Sequence, residues 1–527
     1  MRTSQIVRVI VLATALSFLV SVNVVSEPPL EEGAGAGPRL GEVTEVEIQT
    51  SPEGLEALID QGYDVEEVHD DTVNLTVSDE EMTNLEAAGF DVEPTEDASV
   101  EKVAGYHSYA SLTTTLTTLA NSHPDICRLV SLGQSVDHRE LWAMVITDNP
   151  DVEEDEPEFK YVSTMHGNEP VGAELCTNLI QRLLGNYGAD ERITTLINET
   201  VIWIVPLMNP DGFASWYDDP TEASARYNAN RIDLNRYFPE YAVDFTGTVW
   251  DEPLNTVDRE PEVATVMQWS ADNSFVLSAN FHTGALVVNY PYDDDGKPSG
   301  TDSPSPDDLL FEDISRRYSI HNTPMWNSAQ FEDGITNGAA WYVTQGCMQD
   351  WNYRYLGCNE VTIELSQVKA PSSSALPTLW ANNEESMLAY LEAVHIGVRG
   401  LVTDRLTGAP LWSKITVTGN AQPVFTDPDV GDYHRMLLPG TYTLRCEADG
   451  YVPFTVSSVD VTDGDATRVN VTLLSPDVNG DGVVDAVDVQ LTINDTLGLP
   501  VPYDCDLDGG GPTVSDIQLV INAALGR

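Results

Sequence analysis

The sequence predicts an α/β domain with a mostly parallel, mixed sheet covered by helices, accompanied by three smaller modules. Three observations carry this. Between Gly105 and Val394, short apolar segments alternate with longer helical stretches, the pattern of a sheet buried under helices. From 396 to 475, short alternating segments such as Lys414–Thr418, Thr441–Cys446 and Arg468–Leu473 stand between Gly, Pro and Asp turns, which reads as a β-sandwich. From 477 to 527 a unit repeats: Asp488-Val-Gln-Leu-Thr-Ile-Asn494 matches Asp516-Ile-Gln-Leu-Val-Ile-Asn522, each behind an Asp/Gly-rich loop. A chain of 527 residues has room for several such units.

Taken in order, residues 1–26 read as an export signal. Arg2 and Arg8 precede the apolar run Val9–Val22, and the polar stretch Ser26-Glu27-Pro28-Pro29 follows. That run is short for a bilayer, where a spanning helix takes about 20 apolar residues; an uncleaved anchor is the alternative. No other stretch is suited to span a membrane. A Gly/Ala/Pro linker, Gly33–Gly41, leads to a small α+β module at 43–95. There Thr44–Ile48 and Thr72–Val77 alternate as strands, Pro52–Gln61 is helical, and Asp79–Ala88 is a helix opened by a Ser78/Glu81 capping pair. This module shows no chemistry of its own and reads as a pro-region or a folding aid. In the main domain, 103–395, the strand candidates are Phe159–Met165, Thr200–Pro206, Phe275–Phe281 and Glu360–Leu365, with helices at Glu169–Leu184 and Glu385–Val394.

The formal charge is −60, and Lys102, Lys160, Lys297, Lys369 and Lys414 are the only lysines. Such a surface repels nucleic acid and anionic lipid and attracts cationic substrates, beyond its plain role as a solvated coat. The six cysteines are scattered and form no Cys-x-x-Cys pair; Cys347 and Cys358, near one another in sequence, are the candidate disulfide. There is no His-Glu-x-x-His motif, no Gly-x-Ser-x-Gly elbow and no phosphate-binding loop ending in Gly-Lys-Ser/Thr, so other hydrolase classes and nucleotide chemistry find little support.

Chemistry concentrates at His166-Gly-Asn-Glu169, behind a predicted strand. An imidazole and a carboxylate three residues apart on one turn converge on one metal ion, and catalytic zinc usually keeps three protein ligands. His282, at the end of the strand Phe275–Phe281, is the third candidate, because open α/β sheets place their sites beyond the carboxyl ends of strands.

With these residues in view, 105–395 resembles the zinc metallocarboxypeptidases of the carboxypeptidase N/E/D subfamily. The resemblance is carried in order by His166-Gly-Asn-Glu-Pro-Val-Gly172, Asn209-Pro-Asp-Gly-Phe213, Asp233-Leu-Asn-Arg236, Ser278-Ala-Asn-Phe-His282, Gly334-Ile-Thr-Asn-Gly338 through Met348-Gln-Asp-Trp351, and Thr362-Ile-Glu-Leu-Ser366. It implies zinc on His166, Glu169 and His282, with Glu364 as general base toward the water that the metal activates. It implies Arg226 as the cation facing the developing oxyanion. Asn235, Arg236 and Tyr342 would grip the substrate's free carboxylate, the feature that makes an exopeptidase. Asp293, with Gln349 on the pocket floor, would select C-terminal Arg or Lys. The alternatives are the same zinc chemistry with non-basic or cell-wall peptide specificity, or an inactive binding protein. Thr283 stands where the family has Gly, and Cys347 replaces the second Gly of a pair; both bear on the pocket rather than on the ligands.

Two further resemblances follow. Residues 396–475 are similar to a transthyretin-like sandwich through Val398-Arg-Gly-Leu-Val402 and Gly431-Asp-Tyr433 with Leu438-Pro-Gly-Thr-Tyr442. Residues 476–527 resemble a dockerin, implying calcium on Asp477, Asn479, Asp481, the Val483 carbonyl and Asp488. A second, weaker loop would use Asp504, Asp506, Asp508 and Asp516, with one extra residue and a Gly509-Gly-Gly-Pro512 interruption. A cohesin-like partner or cell-surface scaffold is the implied docking target. The expected protein is secreted, acts on peptides with free C-termini, and has no membrane span once the signal is removed.

Overall fold

A computed structural model describes residues 43–69, 71–95, 103–507 and 510–525. The expected signal, the linker and Asp508 lie outside the described residues. The N-terminal module is a four-stranded antiparallel sheet in the order β2-β3-β1-β4, made of β1 (Val43–Gln49), β2 (Asp64–His69), β3 (Thr72–Ser78) and β4 (Glu93–Pro94). Its helices, Pro52–Asp60 and Asp79–Ala88, each begin at a serine whose side chain accepts a first-turn N–H. Leu55, Leu58 and Leu85 from those helices close over Val46, Ile48 and Leu75. β2 was not expected from the sequence, because Asp64-Val-Glu-Glu-Val-His69 carries too many acids to read as a buried strand. It pairs with β3, and Asp64 through Val68 are all buried.

The main domain is an eight-stranded mixed sheet in the order β11-β10-β12-β9-β7-β8-β6-β5. The strands are β5 (Cys127–Gln134), β6 (Glu140–Ile146), β7 (Glu158–Ser163), β8 (Val201–Val205), β9 (Phe275–His282), β10 (Leu286–Tyr290), β11 (Ile335–Asn337) and β12 (Asn359–Leu365). β8, β7, β9 and β12 run parallel, while β5, β6 and β10 supply the antiparallel pairings. The central strands β7 and β9 are buried at every position, which is why they read as unbroken strands in sequence. Helices Tyr109–Ser122, Val171–Asn186, Asp308–Ser319 and Leu376–Glu392 contribute to one apolar core, and Pro261–Ala271 contributes to the second. The helix Leu376–Glu392 starts well before the expected Glu385, with Pro377 tolerated in its first turn. Lys160 lies inside β7 without breaking it: its ammonium donates to Ser270 Oγ at 2.6 Å and Asn352 Oδ1 at 2.9 Å, so the buried cation is satisfied.

The sandwich follows as two four-stranded sheets. One holds β13 (Val398–Asp404), β16 (Asp432–Arg435), β19 (Thr467–Arg468) and β20 (Val471–Leu473). The other holds β14 (Lys414–Val417), β15 (Val424–Phe425), β17 (Gly440–Glu447) and β18 (Phe454–Val461). It is pinned to the main domain by Arg435, fully buried, whose guanidinium reaches both Asp307 oxygens at 2.7 and 2.9 Å. Two helices, Ala486–Thr496 and Val514–Ala524, complete the described chain. All six cysteines are buried and free. The expected Cys347–Cys358 bridge is therefore corrected: Cys347 sits beside Asp293, whereas Cys358 leads into β12 near Lys160 and Glu360. Among the described residues no helix is long and apolar enough to cross a membrane.

Candidate metal centre and substrate cleft

The centre stands at the carboxyl ends of β7, β9 and β12. After β7 the chain turns through His166 and Glu169 before the helix Val171–Asn186 begins. His282 is the last residue of β9, and its register partner on parallel β12 is Glu364. Two neighbouring strands thus deliver a candidate ligand and the candidate base side by side. Gly167 is required in the turn, since a Cβ there would lie 2.1 Å from the Gly212 carbonyl carbon and 2.4 Å from the Ala225 oxygen.

His166 Nδ1 lies 2.8 Å from Glu169 Oε1, His282 Nδ1 lies 2.9 Å from Glu169 Oε2, and the two Nδ1 atoms are 3.1 Å apart. All three side chains are buried, with ligand atoms within 4.8 Å of one another. Two imidazole nitrogens and a carboxylate crowded around one point suit a divalent cation with nitrogen and oxygen ligands, and zinc fits. Behind it, His166 Nε2 is 3.0 Å from Asp233 Oδ1, the carboxylate–histidine support typical of metal ligands. Glu364 is half-buried, with one carboxylate oxygen shielded from solvent and unpartnered. Burial, then the nearby Glu169 and Glu67 carboxylates, push its carboxyl well above the ordinary range.

Arg226 ends a short 3₁₀ turn and is buried against the centre. Its guanidinium reaches Asp233 Oδ2 at 2.9 Å and Glu169 Oε1 at 3.3 Å. Asn235 and Arg236 lie on a second 3₁₀ turn capped by Asp233. Asn235 Oδ1 accepts from the Met348 N–H at 3.1 Å, tying this turn to the pocket segment. Arg236 and Tyr342 face the same cleft, and each donates to the backbone of β2: Arg236 to the Val65 carbonyl at 3.0 Å and the Tyr342 hydroxyl to the Glu66 carbonyl at 3.1 Å.

The side-chain pocket continues past these residues. Asp293 is buried, accepts from Asn289 Nδ2 at 3.0 Å, and has its carboxyl pushed up by burial. Gln349 is fully buried with neither amide atom partnered. Gly338 keeps this pocket open, because a Cβ there would lie 1.9 Å from Asp293 Oδ1. Asp350 closes the back, accepting from the Asp293 and Asp294 N–H groups at 3.1 to 3.2 Å. The structure brings together His166, Glu169, His282, Glu364, Arg226, Asn235, Arg236, Tyr342 and Asp293 around one cavity.

Sequence reasoning missed Glu66 and Lys369. Glu66 is fully buried beside Lys369 and 3.6 Å from Arg226. Although burial opposes ionisation, Lys369 and Arg226 pull its carboxyl down to about 2. A signal was present for Lys369, a rare lysine five residues beyond the proposed base.

The expected calcium residues lie apart from this centre. Asp477 accepts from the Gly480, Asp481 and Gly482 N–H groups, and Asn479 Oδ1 accepts from Asp481. Asp481 accepts from the Val483 N–H, and the fully buried Asp488 accepts from Asn479 and Asp485 at the start of its helix. In the second loop, Asp516 takes the same capping place, Gly511 donates to Asp506, and Asp504 is ion-paired with Arg405 of the sandwich at 2.5 Å.

Comparison with known proteins gives two family matches. "Zinc carboxypeptidase" matches residues 112–386, and "Carboxypeptidase regulatory-like domain" matches residues 397–474. Carboxypeptidase D of Homo sapiens is 43% identical over 380 residues, covering 70% of this chain and 27% of that protein. The carboxypeptidase N catalytic chain of Homo sapiens is 40% identical over 390 residues, covering 69% of this chain and 85% of that one. The chain thus spans only about a quarter of the length of the carboxypeptidase D relatives. A solved carboxypeptidase A from Helicoverpa armigera shares the fold, with a TM-score of 0.52 at 16% identity over 66% of this chain and 96% of that one. On the extent of these matches, this chain belongs to the zinc carboxypeptidase family, as a metallocarboxypeptidase domain followed by a regulatory-like domain.

Proposed function

We propose that this chain hydrolyses the last peptide bond of peptides and proteins and prefers a C-terminal Arg or Lys. The observation that carries the reading is the convergence of His166, Glu169 and His282 next to Glu364, with Arg236 and Tyr342 across the same cavity. When bound, zinc supplies a Lewis acid that lowers the pKa of water and polarises a carbonyl. Arg236, with Asn235 and Tyr342, holds the substrate's free carboxylate, which limits attack to the terminal bond. Glu364 takes the proton of the attacking water and returns it to the departing amine. Arg226, held by Asp233, faces the oxygen on which charge develops. Asp293 and Gln349 receive the substrate's basic side chain. The site's placement beyond the ends of β7, β9 and β12 and the burial of Asp293 support this assignment.

The same reading takes residues 1–26 as an export signal of a secreted protein, 43–95 as a pro-region and 103–395 as the catalytic domain. Residues 396–475 form a transthyretin-like sandwich and 476–527 a dockerin-like module. That module would hold calcium on Asp477, Asn479, Asp481, Val483 and Asp488, and more weakly in the second loop, and would dock to a cohesin-like scaffold. The paired loops, each feeding a carboxylate-capped helix, support it.

Peptides ending in Arg, with the C-terminus free or amidated, test the central claim by mass-spectrometric ladder. The intact chain and chain exposed to limited proteolysis are both assayed, with chelator and with zinc restored. Loss of one residue at a time, only from free C-termini and only with metal, is expected. Cleavage of the amidated peptide at equal rate, or indifference to chelator, would refute it.

A further inference from the structure

The sandwich and the main domain face one another across a cavity of about 520 Å³. Acids from both sides line it. Glu158 opens β7, and Asp427 and Asp432 flank the turn between β15 and β16. Ser274, just before β9, joins the two sides: its N–H donates to Glu158 Oε2 at 2.6 Å and its hydroxyl to Asp427 Oδ2 at 3.2 Å. Glu158 is only 4% exposed. Among the described residues Ser274 is the one donor to its carboxylate, which leaves the other oxygen on the cavity without a partner. Asp432, also buried, has His434 Nε2 at 3.0 Å. No lysine or arginine is among the described residues that line the cavity. Arg399 and Arg468 are engaged by Asp155, next to Asp432 and His434. The remaining wall is apolar and aromatic, with Val249, Phe275, Trp412 and Phe425. Trp412 lies 4.7 Å from Trp250, over whose ring the Lys414 ammonium stands at 5.3 Å, so this aromatic surface already carries one ammonium. Like charges brought together from two domains oppose their junction. Burial, then Glu153, push the Glu158 carboxyl well above the ordinary range, and burial, then Asp427 and Asp432, push Glu153 up to about 7.

We propose that this junction binds an organic diammonium ion, a linear diamine or polyamine, with its ammonium groups among Glu158, Asp427 and Asp432 and its alkyl chain on Phe275, Phe425 and Trp412. The volume falls within the range of small-molecule sites, about 300–1,000 Å³, and exceeds what one bare ion fills. Aromatic faces attract an ammonium, and an alkyl stem suits the apolar wall. A free basic amino acid is disfavoured, because its own carboxylate would meet acids and no lining cation. The site is separate from the metal centre: Glu158 begins β7 and His166 follows its other end, so about 17 Å of strand lies between them. The inference does not draw on the carboxypeptidase reading. A bound diammonium would relieve the repulsion between the two domains and tie the sandwich to the sheet.

Cadaverine is the probe, titrated by calorimetry into the full, zinc-loaded chain carrying Asp293→Asn, which takes the specificity pocket away as a second amine site. Saturable binding of one cadaverine per chain is expected. Titrations in buffers of different ionisation enthalpy should show protons released, because an ammonium beside raised carboxyls favours their ionised form. Asp432→Asn should weaken binding by at least about tenfold, as loss of a buried charge partner. Glu153→Gln, at an exposed position whose side chain makes no hydrogen bond among the described residues, should weaken it by about two- to fivefold. The neutral diol of the same chain length should not bind. If Asp432→Asn fails to fold, Glu153→Gln and the proton release still decide. No saturable binding, binding that the folded variants leave unchanged, or equal binding of the diol overturns the proposal. Calcium chloride is titrated into the same chains; a calcium event that Asp432→Asn or Glu153→Gln weakens, with none for cadaverine, makes this a metal site and overturns the organic class.

Discussion

Replacing Asp293 by Asn probes the basis of specificity most directly. The carboxylate is only 3% exposed and accepts from the Asn289 side chain, with Cys347 and Gln349 beside it. A substrate guanidinium entering this pocket would be desolvated against that single charge. Removing one partner of a buried ion pair costs about 3–5 kcal/mol, and about 1.4 kcal/mol is a decade in rate. Asp350, whose carboxyl burial and then Asp293 push well above the ordinary range, is relieved of that neighbour in the variant and can take up part of the charge, so the lower bound applies. A loss of about 100-fold in kcat/KM for peptides ending in Arg is expected. Peptides ending in Phe gain nothing from the charge and should hold or improve. The assay compares two peptides that differ only in their last residue. An Arg-to-Phe ratio that stays within about threefold of wild type, with zinc content and thermal midpoint preserved, would refute the role given to Asp293.

Three other outcomes follow from the geometry. Glu364→Gln should lower kcat by about 10²–10⁴-fold while retaining one zinc per chain by elemental analysis; retained turnover would contradict its role as base. Gly167→Ala should destabilise the main domain by about 1–3 kcal/mol and weaken zinc retention, because the new Cβ meets backbone at Gly212 and Phe213 at 2.1 and 2.3 Å; calorimetry and a zinc-release dye check this. At the junction of sandwich and main domain, burial and then Asp427 and Asp155 push the Asp432 carboxyl up to about 8, with Arg399 opposing. Its partner His434 is pushed down to about 3 by burial and then by Arg399. The raised acid makes the folded chain bind the extra proton, so its contribution to stability is lost as pH rises toward 8. His434 acts in the opposite sense below its ordinary 6.5. The net fall in thermal midpoint is therefore expected between about pH 6.5 and 8, and Asp432→Asn should flatten it; an unchanged slope would count against this pair.

Much of the candidate centre was legible because its residues sit at the ends of strongly patterned elements. β7, β9 and β12 are buried on both faces and therefore read as strands, and their ends mark His166, His282 and Glu364. β2 was illegible for the opposite reason. Its acids are buried against cations of another domain, while periodicity reports only a segment's relation to its own core. Glu66 and Lys369 became partners only through that docking. The Cys347–Cys358 expectation rested on sequence proximity, and the intervening Met348–Leu356 helical turns separate the two thiols into different surroundings. The ion pair of Asp504 with Arg405 likewise depends on how the last helices sit on the sandwich, which no spacing rule encodes.

Asp233 touches both His166 and Arg226, one with each oxygen. Under the proposed assignment, metal affinity and oxyanion stabilisation would therefore not be separately adjustable through this carboxylate. An effort to retune the chain for another metal through this carboxylate would also disturb the guanidinium, and a gain on one axis would be read against a loss on the other.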